Sequence, residues 1–331
     1  MPPMPARGGI DLGGTKIQAI VFHPADERVL GQSRRPTPHE GGPQAVADAM
    51  AEALQEAADG AGIPTDQLAG VGVGSPGEID SEAGTVSHAA NLPDWEAPFA
   101  LAPELAQRFG TRVSLGNDVD VATQAEFALG AGREASSLLG VFWGTGVGGG
   151  LVFDSKPWSG RGAAGEIGHM VVKRGGARCP CGRRGCMEAY AGRRAMEARA
   201  LKLTDRGRKT ALFRIMRERG RENLSSGVWA KALEHGDELA AEIIERAVQG
   251  LGAGVASAVN LLDIELVVIG GGLGVRFGEP MVERILAAMM PHLFFDDRPP
   301  TVRVAALGDL GGAIGAALLS QRLHPAASTP A

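Results

Sequence analysis

Residues 8–22 read GGIDLGGTKIQAIVF. Ile10 and Leu12 flank Asp11 in a short alternating run, Gly13-Gly14-Thr15 breaks it, and Ile17, Ala19, Val21 and Phe22 resume an apolar run. This pattern predicts strand, glycine turn, strand: a β-hairpin. Residues 136–153, SSLLGVFWGTGVGGGLVF, repeat the plan, with strands at Leu138–Trp143 and Leu151–Phe153 around a glycine turn at Gly144–Gly150. What recurs is a pattern and not a sequence, and it predicts two lobes of similar construction.

Between and beyond the hairpins, helical and extended segments alternate. Val46, Ala49, Met50, Ala53, Leu54 and Ala57 share one face of a helix over Ala45–Ala58. Leu68–Val73 reads as a buried strand stopped by Gly74-Ser75-Pro76-Gly77, Val113–Leu115 as a short strand and Val119–Leu129 as a helix. Lys202–Asn223 is a basic helical stretch, read as a solvated face. Asp237–Leu262 predicts a long Ala-rich helix whose Gly250, Gly252, Ala253, Gly254, Ala256 and Ala258 allow a close neighbour. A strand at Glu265–Ile269 runs into Gly270-Gly271-Gly272-Leu273-Gly274; a strand at Val302–Ala305 and a helix at Gly311–Leu319 follow. Hairpins among alternating strands and helices predict mixed α/β sheets.

Composition narrows the functional class. The chain has 331 residues and net charge −5, so it lacks the basic footprint of a non-specific nucleic-acid binder. No stretch reaches about 18 consecutive apolar residues, and the start MPPMPARGG has no apolar core, so neither a membrane span nor a signal peptide is expected. Three cysteines cannot staple a chain of this length, which points to a reducing, cytoplasmic setting.

The glycine turns carry the first chemical signal. Gly144, Gly146 and Gly149 match a dinucleotide spacing, but that reading needs a helix directly after the loop, and Leu151-Val152-Phe153 continues as strand. Lys16 after Gly-Gly-Thr has neither the spacing nor the helix of a P-loop. Such turns are either tight hairpins or anion cradles, whose backbone N–H groups and the Thr15 and Thr145 hydroxyls would hold a polyphosphate across a cleft.

The cysteines carry the second. Cys179, Cys181 and Cys186 form C-x-C-x4-C, with His169 ahead of them. Three thiolates and an imidazole suit a tetrahedral structural zinc site, the alternative being three buried thiols. Glu166 and Glu188 bracket the cluster and are either surface glutamates or fixed acceptors for polyol hydroxyls. Gly116-Asn117-Asp118 stands at a strand-to-helix turn, where Asn or Asp acts as a helix cap or as a carboxylate that accepts a proton from a hydroxyl nucleophile.

Together these residues resemble the ROK family (repressors, open reading frames, kinases). DLGGTK at 11–16, NLPDW at 91–95, GND at 116–118, GTGVGGG at 144–150, GEIGH at 165–169, CPCGRRGCME at 179–188 and VVIGGG at 267–272 cover nearly the whole chain. The resemblance implies the actin-like/ribonuclease-H-like ATPase fold, two α/β lobes around a cleft, with a small zinc-binding segment at 169–186. The lobes are expected at 1–118 with 308–324, and at 119–307, leaving 325–331 as a disordered tail. It implies ATP-dependent phosphorylation of the 6-hydroxyl of a hexose, glucose first, with Asp118 as general base. Kinases for N-acetylglucosamine, N-acetylmannosamine, mannose or fructose are the alternatives, as is a sugar sensor without turnover. By the same resemblance, Asp11 helps place Mg2+, and Gly13, Gly14, Thr15 and Lys16 form the first phosphate turn. Gly144, Thr145 and Gly146 form the second, and Gly270, Gly271 and Gly272 hold adenosine. Asn117, Asp118, Glu166, His169 and Glu188 match the hexose ligands, with Gly77 acting through its backbone. His169, Cys179, Cys181 and Cys186 match the Zn2+ ligands. Only ten residues precede Asp11, too few for the DNA-binding module of the family's repressors. The cysteines favour ATP over inorganic polyphosphate as donor, and a homo-oligomer, dimer or tetramer, is expected. Asp120, Val121, Trp143 and Gly192 depart from the commoner family residues, which leaves the sugar preference open.

Overall fold

The computed structural model describes residues 5–89 and 92–322; Asn91 of the NLPDW motif and the expected tail at 325–331 lie outside them. The chain forms two compact units. The first runs through Leu129 and resumes at Asp309; the second is Gly130–Gly308.

The first unit contains β1 (Arg7–Leu12), β2 (Lys16–His23), β3 (Arg28–Pro36), α1 (Gly42–Ala61), β4 (Val71–Ser75), β5 (Glu78–Asp80), β6 (Thr85–Ser87), α2 (Leu101–Phe109), β7 (Val113–Asn117) and α3 (Asp118–Leu129). The second contains β8 (Leu138–Trp143), β9 (Val147–Phe153), β10 (Lys156–Pro157), α4 (Glu188–Ala191), α5 (Arg193–Thr204), α6 (Leu212–Glu218), α7 (Ser226–Glu234), α8 (Glu238–Leu262), β11 (Leu266–Gly270), α9 (Gly271–Phe277), α10 (Glu279–Met289) and β12 (Thr301–Val304). The last helix, α11 (Gly311–Arg322), belongs to the first unit.

The two main sheets share one plan, as the repeated hairpin pattern predicts. Their orders are β3-β2-β1-β4-β7 and β10-β9-β8-β11-β12. In each, two antiparallel pairings are followed by two parallel ones. The parallel half gathers the C-terminal ends of β1, β4 and β7 at one edge, and those of β8, β11 and β12 at the corresponding edge of the other sheet. In α/β sheets that edge is where ligands bind.

Helix α11 lies unusually close to its sheet because glycines face it. A Cβ on Gly9 would sit 2.0 Å from the Ala313 carbonyl oxygen, and one on Gly72 1.7 Å from that of Ala316. A Cβ on Gly315 would meet the Val121 carbonyl at 1.9 Å, so α3 is held against the same helix. This packing keeps α3 in the first unit, so the boundary falls at 129/130 and not at the expected 118/119. Backbone cannot yield as a side chain can. Gly72→Ala is therefore expected to destabilise the protein by about 2 kcal/mol or more, read as a fall of several degrees in Tm with the cysteine segment unchanged.

In the second unit the small stripe of α8 works as its composition suggests. Added Cβ atoms on Gly252 and Gly254 would fall 2.6 Å from Ala288 Cβ on α10 and from Met187 Sδ. Asp237 caps α8 by accepting from Ala240 N–H at 2.8 Å.

Three expected elements differ. The strand expected at 68–73 is β4 at Val71–Ser75, so Gly74 and Ser75 continue it, pairing with Gly116 and Asn117, and do not stop it. The glycine turn is shorter than 144–150, because Gly148–Gly150 already pair with Phe142–Gly140 as part of β9. The basic stretch 202–223 is not one helix. Gly207 takes φ +88° and ends α5, and α6 starts separately at Leu212.

Candidate functional site

In the first unit the site is built on strand ends. Asp11 pairs in register with Gly74 of β4, which pairs with Gly116 of β7, so Asp11 and the Asn117-Asp118 turn flank one glycine. A Cβ on Gly74 would strike Val121 Cγ2 at 2.7 Å and crowd Asp118 Cα at 3.4 Å, so the glycine lets the start of α3 settle onto the sheet. The β1–β2 turn closes with Gly13 N–H donating to the Lys16 carbonyl at 2.9 Å. Buried Thr37, which the sequence did not mark, braces it: its Oγ1 donates to the Gly13 carbonyl at 2.6 Å and its N–H to that of Thr15 at 3.2 Å. Lys16 Nζ lies 3.5 Å from Asp309 Oδ1. Gly77 adopts φ +97°, where a Cβ would sit 2.6 Å from the Ser87 carbonyl oxygen.

The cap and the carboxylate are separate residues. Asn117 Oδ1 accepts from the N–H groups of Val119 and Asp120 at 3.0 and 3.2 Å, which caps α3. That fixes the amide so that Nδ2 remains a donor. Asp118 Oδ1 accepts from the same Val119 N–H at 2.9 Å. Burial pushes the Asp118 carboxyl up to about 7, with the charges of Asp11 and Asp120 adding to the rise and backbone N–H groups opposing it. Burial likewise pushes Asp11 up to about 6, against the pull of Lys16 and with a further push from Asp309. The first turn of α11 abuts Asp11: a Cβ on Gly312 would be 2.6 Å from its Cγ.

In the second unit, Gly144 N–H donates to the Gly146 carbonyl at 3.0 Å and closes the β8–β9 turn. Strands β8 and β11 are parallel neighbours, and Gly144 is so close to the next glycine run that an added Cβ would lie 3.8 Å from Gly272 N. Gly271 has φ +76° and packs against Trp143, where a Cβ would meet the carbonyl oxygen at 2.6 Å. Gly144–Gly146 and Gly270–Gly272 are thus brought together.

The glycines of β9 let another segment lie flat on it. A Cβ on Gly149 would be 2.7 Å from the Gly165 carbonyl oxygen, and one on Gly168 1.9 Å from that of Val147. This segment carries Glu166 and His169. Glu188 sits beneath the turn: its Oε2 accepts from Val147 N–H at 2.9 Å, and a Cβ on Gly146 would collide with that oxygen at 2.3 Å. Its Oε1 is 3.8 Å from Cys179 Sγ. Glu188 thereby links the glycine turn to the cysteine cluster.

The ligand atoms of His169, Cys179, Cys181 and Cys186 all lie within 4.8 Å of one another. Cys179 Sγ is 3.7 Å from His169 Nδ1, and Cys181 Sγ is 3.7 Å from Cys186 Sγ. Metal–sulfur bonds of about 2.3 Å and metal–nitrogen bonds of about 2.0 Å at tetrahedral angles need edges of roughly 3.5–3.8 Å, so this donor set fits zinc. Left-handed Gly182 (φ +85°) and Gly185 (φ +87°) shape the loop. With Nδ1 toward the thiols, His169 Nε2 lies 3.8 Å from Glu166 Oε2.

Comparison with known proteins follows the same lines. The profile described as the ROK family matches residues 7–323. The chain belongs to the ROK family. It is 35% identical over 302 residues to a glucokinase of Thermotoga maritima, covering 86% of this chain and 88% of that one. It is 32% identical to an N-acetyl-D-glucosamine kinase of Escherichia coli, covering 94% and 98%. A ROK glucokinase of Streptomyces griseus, crystallised with glucose and AMPPNP, superposes with TM-score 0.82 at 30% identity, covering 96% of this chain and 99% of that one. The ROK fold of the actin-like ATPase type is the fold of this chain. Among the described residues no helix is long and apolar enough to cross a membrane.

Sequence reading missed the residues that support the ROK motifs. Thr37, Gly192 and Gly312 each touch a site residue, yet nothing in their local sequence marks them. Gly192, noted only as a departure from the common family residue, would place a Cβ 2.9 Å from Glu188 Cγ.

Proposed function

We propose that this ROK protein transfers the γ-phosphoryl group of ATP to the 6-hydroxyl of a hexose, with glucose the first candidate. The observation that carries this reading is the division of labour at the β7–α3 turn. Asn117 caps the helix end, Asp118 shares only the Val119 N–H, and its carboxyl, pushed up to about 7, is placed to accept a proton. A base with that affinity takes the hydroxyl proton efficiently at physiological pH. The sugar oxygen forms its bond to phosphorus as the bond to the β,γ-bridging oxygen breaks and ADP leaves. N–H groups of the Gly13–Thr15 and Gly144–Gly146 turns, with the two threonine hydroxyls, would stabilise the phosphoryl charge. Asp11, a hard oxygen donor beside the first turn, would hold Mg2+, which supplies positive charge at the phosphates when bound. Gly270–Gly272 would receive the adenosine. The hexose ligands are drawn from Gly77, Asn117, Asp118, Glu166, His169 and Glu188, with Asn117 donating through Nδ2. His169, Cys179, Cys181 and Cys186 would hold structural Zn2+.

The kinase names of the relatives above support sugar phosphorylation, and they divide between glucose and N-acetylglucosamine. A panel of hexoses and phosphoryl donors, scored by kcat/KM, tests the reading. Glucose with ATP is expected to rank first. A preference for a 2-acetamido sugar would reassign the substrate, and no sugar phosphate from any hexose would mark a binding protein without turnover.

The pH profile is a separate check. Asp118 works only when ionised, so kcat/KM for the hexose is expected to rise about tenfold per pH unit below pH 7 and to level above it. An acid limb near pH 4 would show that Asp118 is not the base.

A further inference from the structure

Helix α5 begins against the second glycine turn. The N–H groups of Arg193 and Arg194 donate to the carbonyls of Gly144 and Thr145 at 3.1 and 3.2 Å. The Arg193 side chain returns to the same turn. One guanidinium nitrogen donates to Thr145 Oγ1 at 2.9 Å, and the other to Asn223 Oδ1 at 2.9 Å. Both acceptors are neutral, and among the described residues no carboxylate pairs with this half-buried cation. Glu197 acts on it only from further away, and its Oε2 is engaged by Leu224 N–H at 3.1 Å. Arg194 adds a second positive charge beside it.

A partly desolvated guanidinium without an ion partner is costly to hold, and arginine is suited to bidentate capture of phosphate oxygens. The bond to Thr145 has a further effect. Because Oγ1 accepts from Arg193, the hydroxyl hydrogen is free to donate, which is the polarity an anion needs. We infer that Arg193 is a nucleotide-binding residue: it takes the polyphosphate tail of the nucleotide together with the Gly144–Gly146 turn and orients the Thr145 hydroxyl as a donor. This rests on the reading of that turn as the second phosphate turn.

The test is nucleotide binding to the zinc-loaded protein by calorimetry, with MgATP, MgADP and adenosine as probes. Arg193→Gln is expected to weaken MgATP and MgADP at least tenfold and to leave adenosine within twofold. Arg193→Lys keeps the charge but not the fork, and should recover only part of the loss. In turnover, KM for MgATP should rise more than KM for the hexose. Unchanged MgATP affinity in Arg193→Gln would overturn the inference, and so would an equal loss for adenosine, which would make the residue purely structural. If the glutamine variant does not fold, modification of Arg193 by phenylglyoxal in the wild-type protein decides. MgATP should protect it and adenosine should not; equal modification with and without MgATP would overturn the inference. A wild-type protein that binds no MgATP would instead overturn the proposed function.

Discussion

Asp118→Asn is expected to lower kcat by about 10²–10⁴-fold, the usual contribution of a positioned base, with hexose affinity changed only a few-fold. The amide is isosteric and its Oδ1 can still accept from Val119 N–H, so α3 keeps its start and Asn117 keeps its capping role. Stability should move the opposite way to activity. Asp118 and Asp11 are both raised far above ordinary carboxylate values, to about 7 and about 6. The folded state therefore binds these protons more tightly than the unfolded chain. Their contribution is fully present below about pH 4 and is lost as pH rises through 6 and 7. Above pH 7 two carboxylates are ionised side by side in a poorly solvated site. Replacing either by a neutral amide removes that repulsion. Asp118→Asn is thus expected to have a higher Tm than wild type at pH 8 and a similar Tm at pH 4, by thermal denaturation at both pH values. A variant with near wild-type turnover would remove Asp118 from its role, whatever its stability.

The combination of lost activity and gained stability follows from where the fold puts the group. The paired glycine hairpins were legible because turn and strand signals are local. Glycine at 13, 14, 144 and 146 interrupts β-rich runs within a few residues. The end of the second turn was not legible, because Gly148–Gly150 look like turn but form strand. Their missing side chains serve the Gly165–Gly168 segment that lies on them, a contact between residues far apart in sequence. The basic stretch misled for a related reason, since composition does not reveal that Gly207 takes a left-handed conformation and ends α5. At the β7–α3 turn the sequence offered a cap or a base. Only hydrogen bonds show that Asn117 takes the first role; the second is the one proposed for Asp118. Arg193 had no sequence signal at all, because an arginine at a helix start reads as surface until its side chain is seen on Thr145.

Cys181→Ala is expected to abolish zinc binding and, with it, hexose binding, which should weaken at least tenfold. Metal analysis of the wild-type protein should find about one zinc per chain, and the variant close to none. Between His169 and Glu188 the backbone makes two isolated bridges, Val171 with Cys186 and Arg178 with Arg184, and no extended strand pairing. Four convergent side chains add to a small packed cluster of Cys179, Cys186, Ala189 and Tyr190 in holding the segment, and metal affinity in such segments is largely folding free energy. The consequences reach both ends of the segment. His169 supplies Nδ1 to the cluster while Nε2 faces Glu166, so losing the metal frees the ring and the carboxylate together. Glu188 follows directly after Cys186-Met187, and its Oε2 holds Val147 N–H at the second glycine turn. Disorder at the cysteines should thus loosen that turn too, and KM for MgATP is expected to rise, though less than KM for the hexose. Chelation of the wild-type protein should reproduce the variant, and zinc should restore the chelated protein but not Cys181→Ala. Full activity in a metal-free preparation would break the link between the cluster and the sugar site, leaving Glu166, His169 and Glu188 to be held by the glycine contacts of β9 alone.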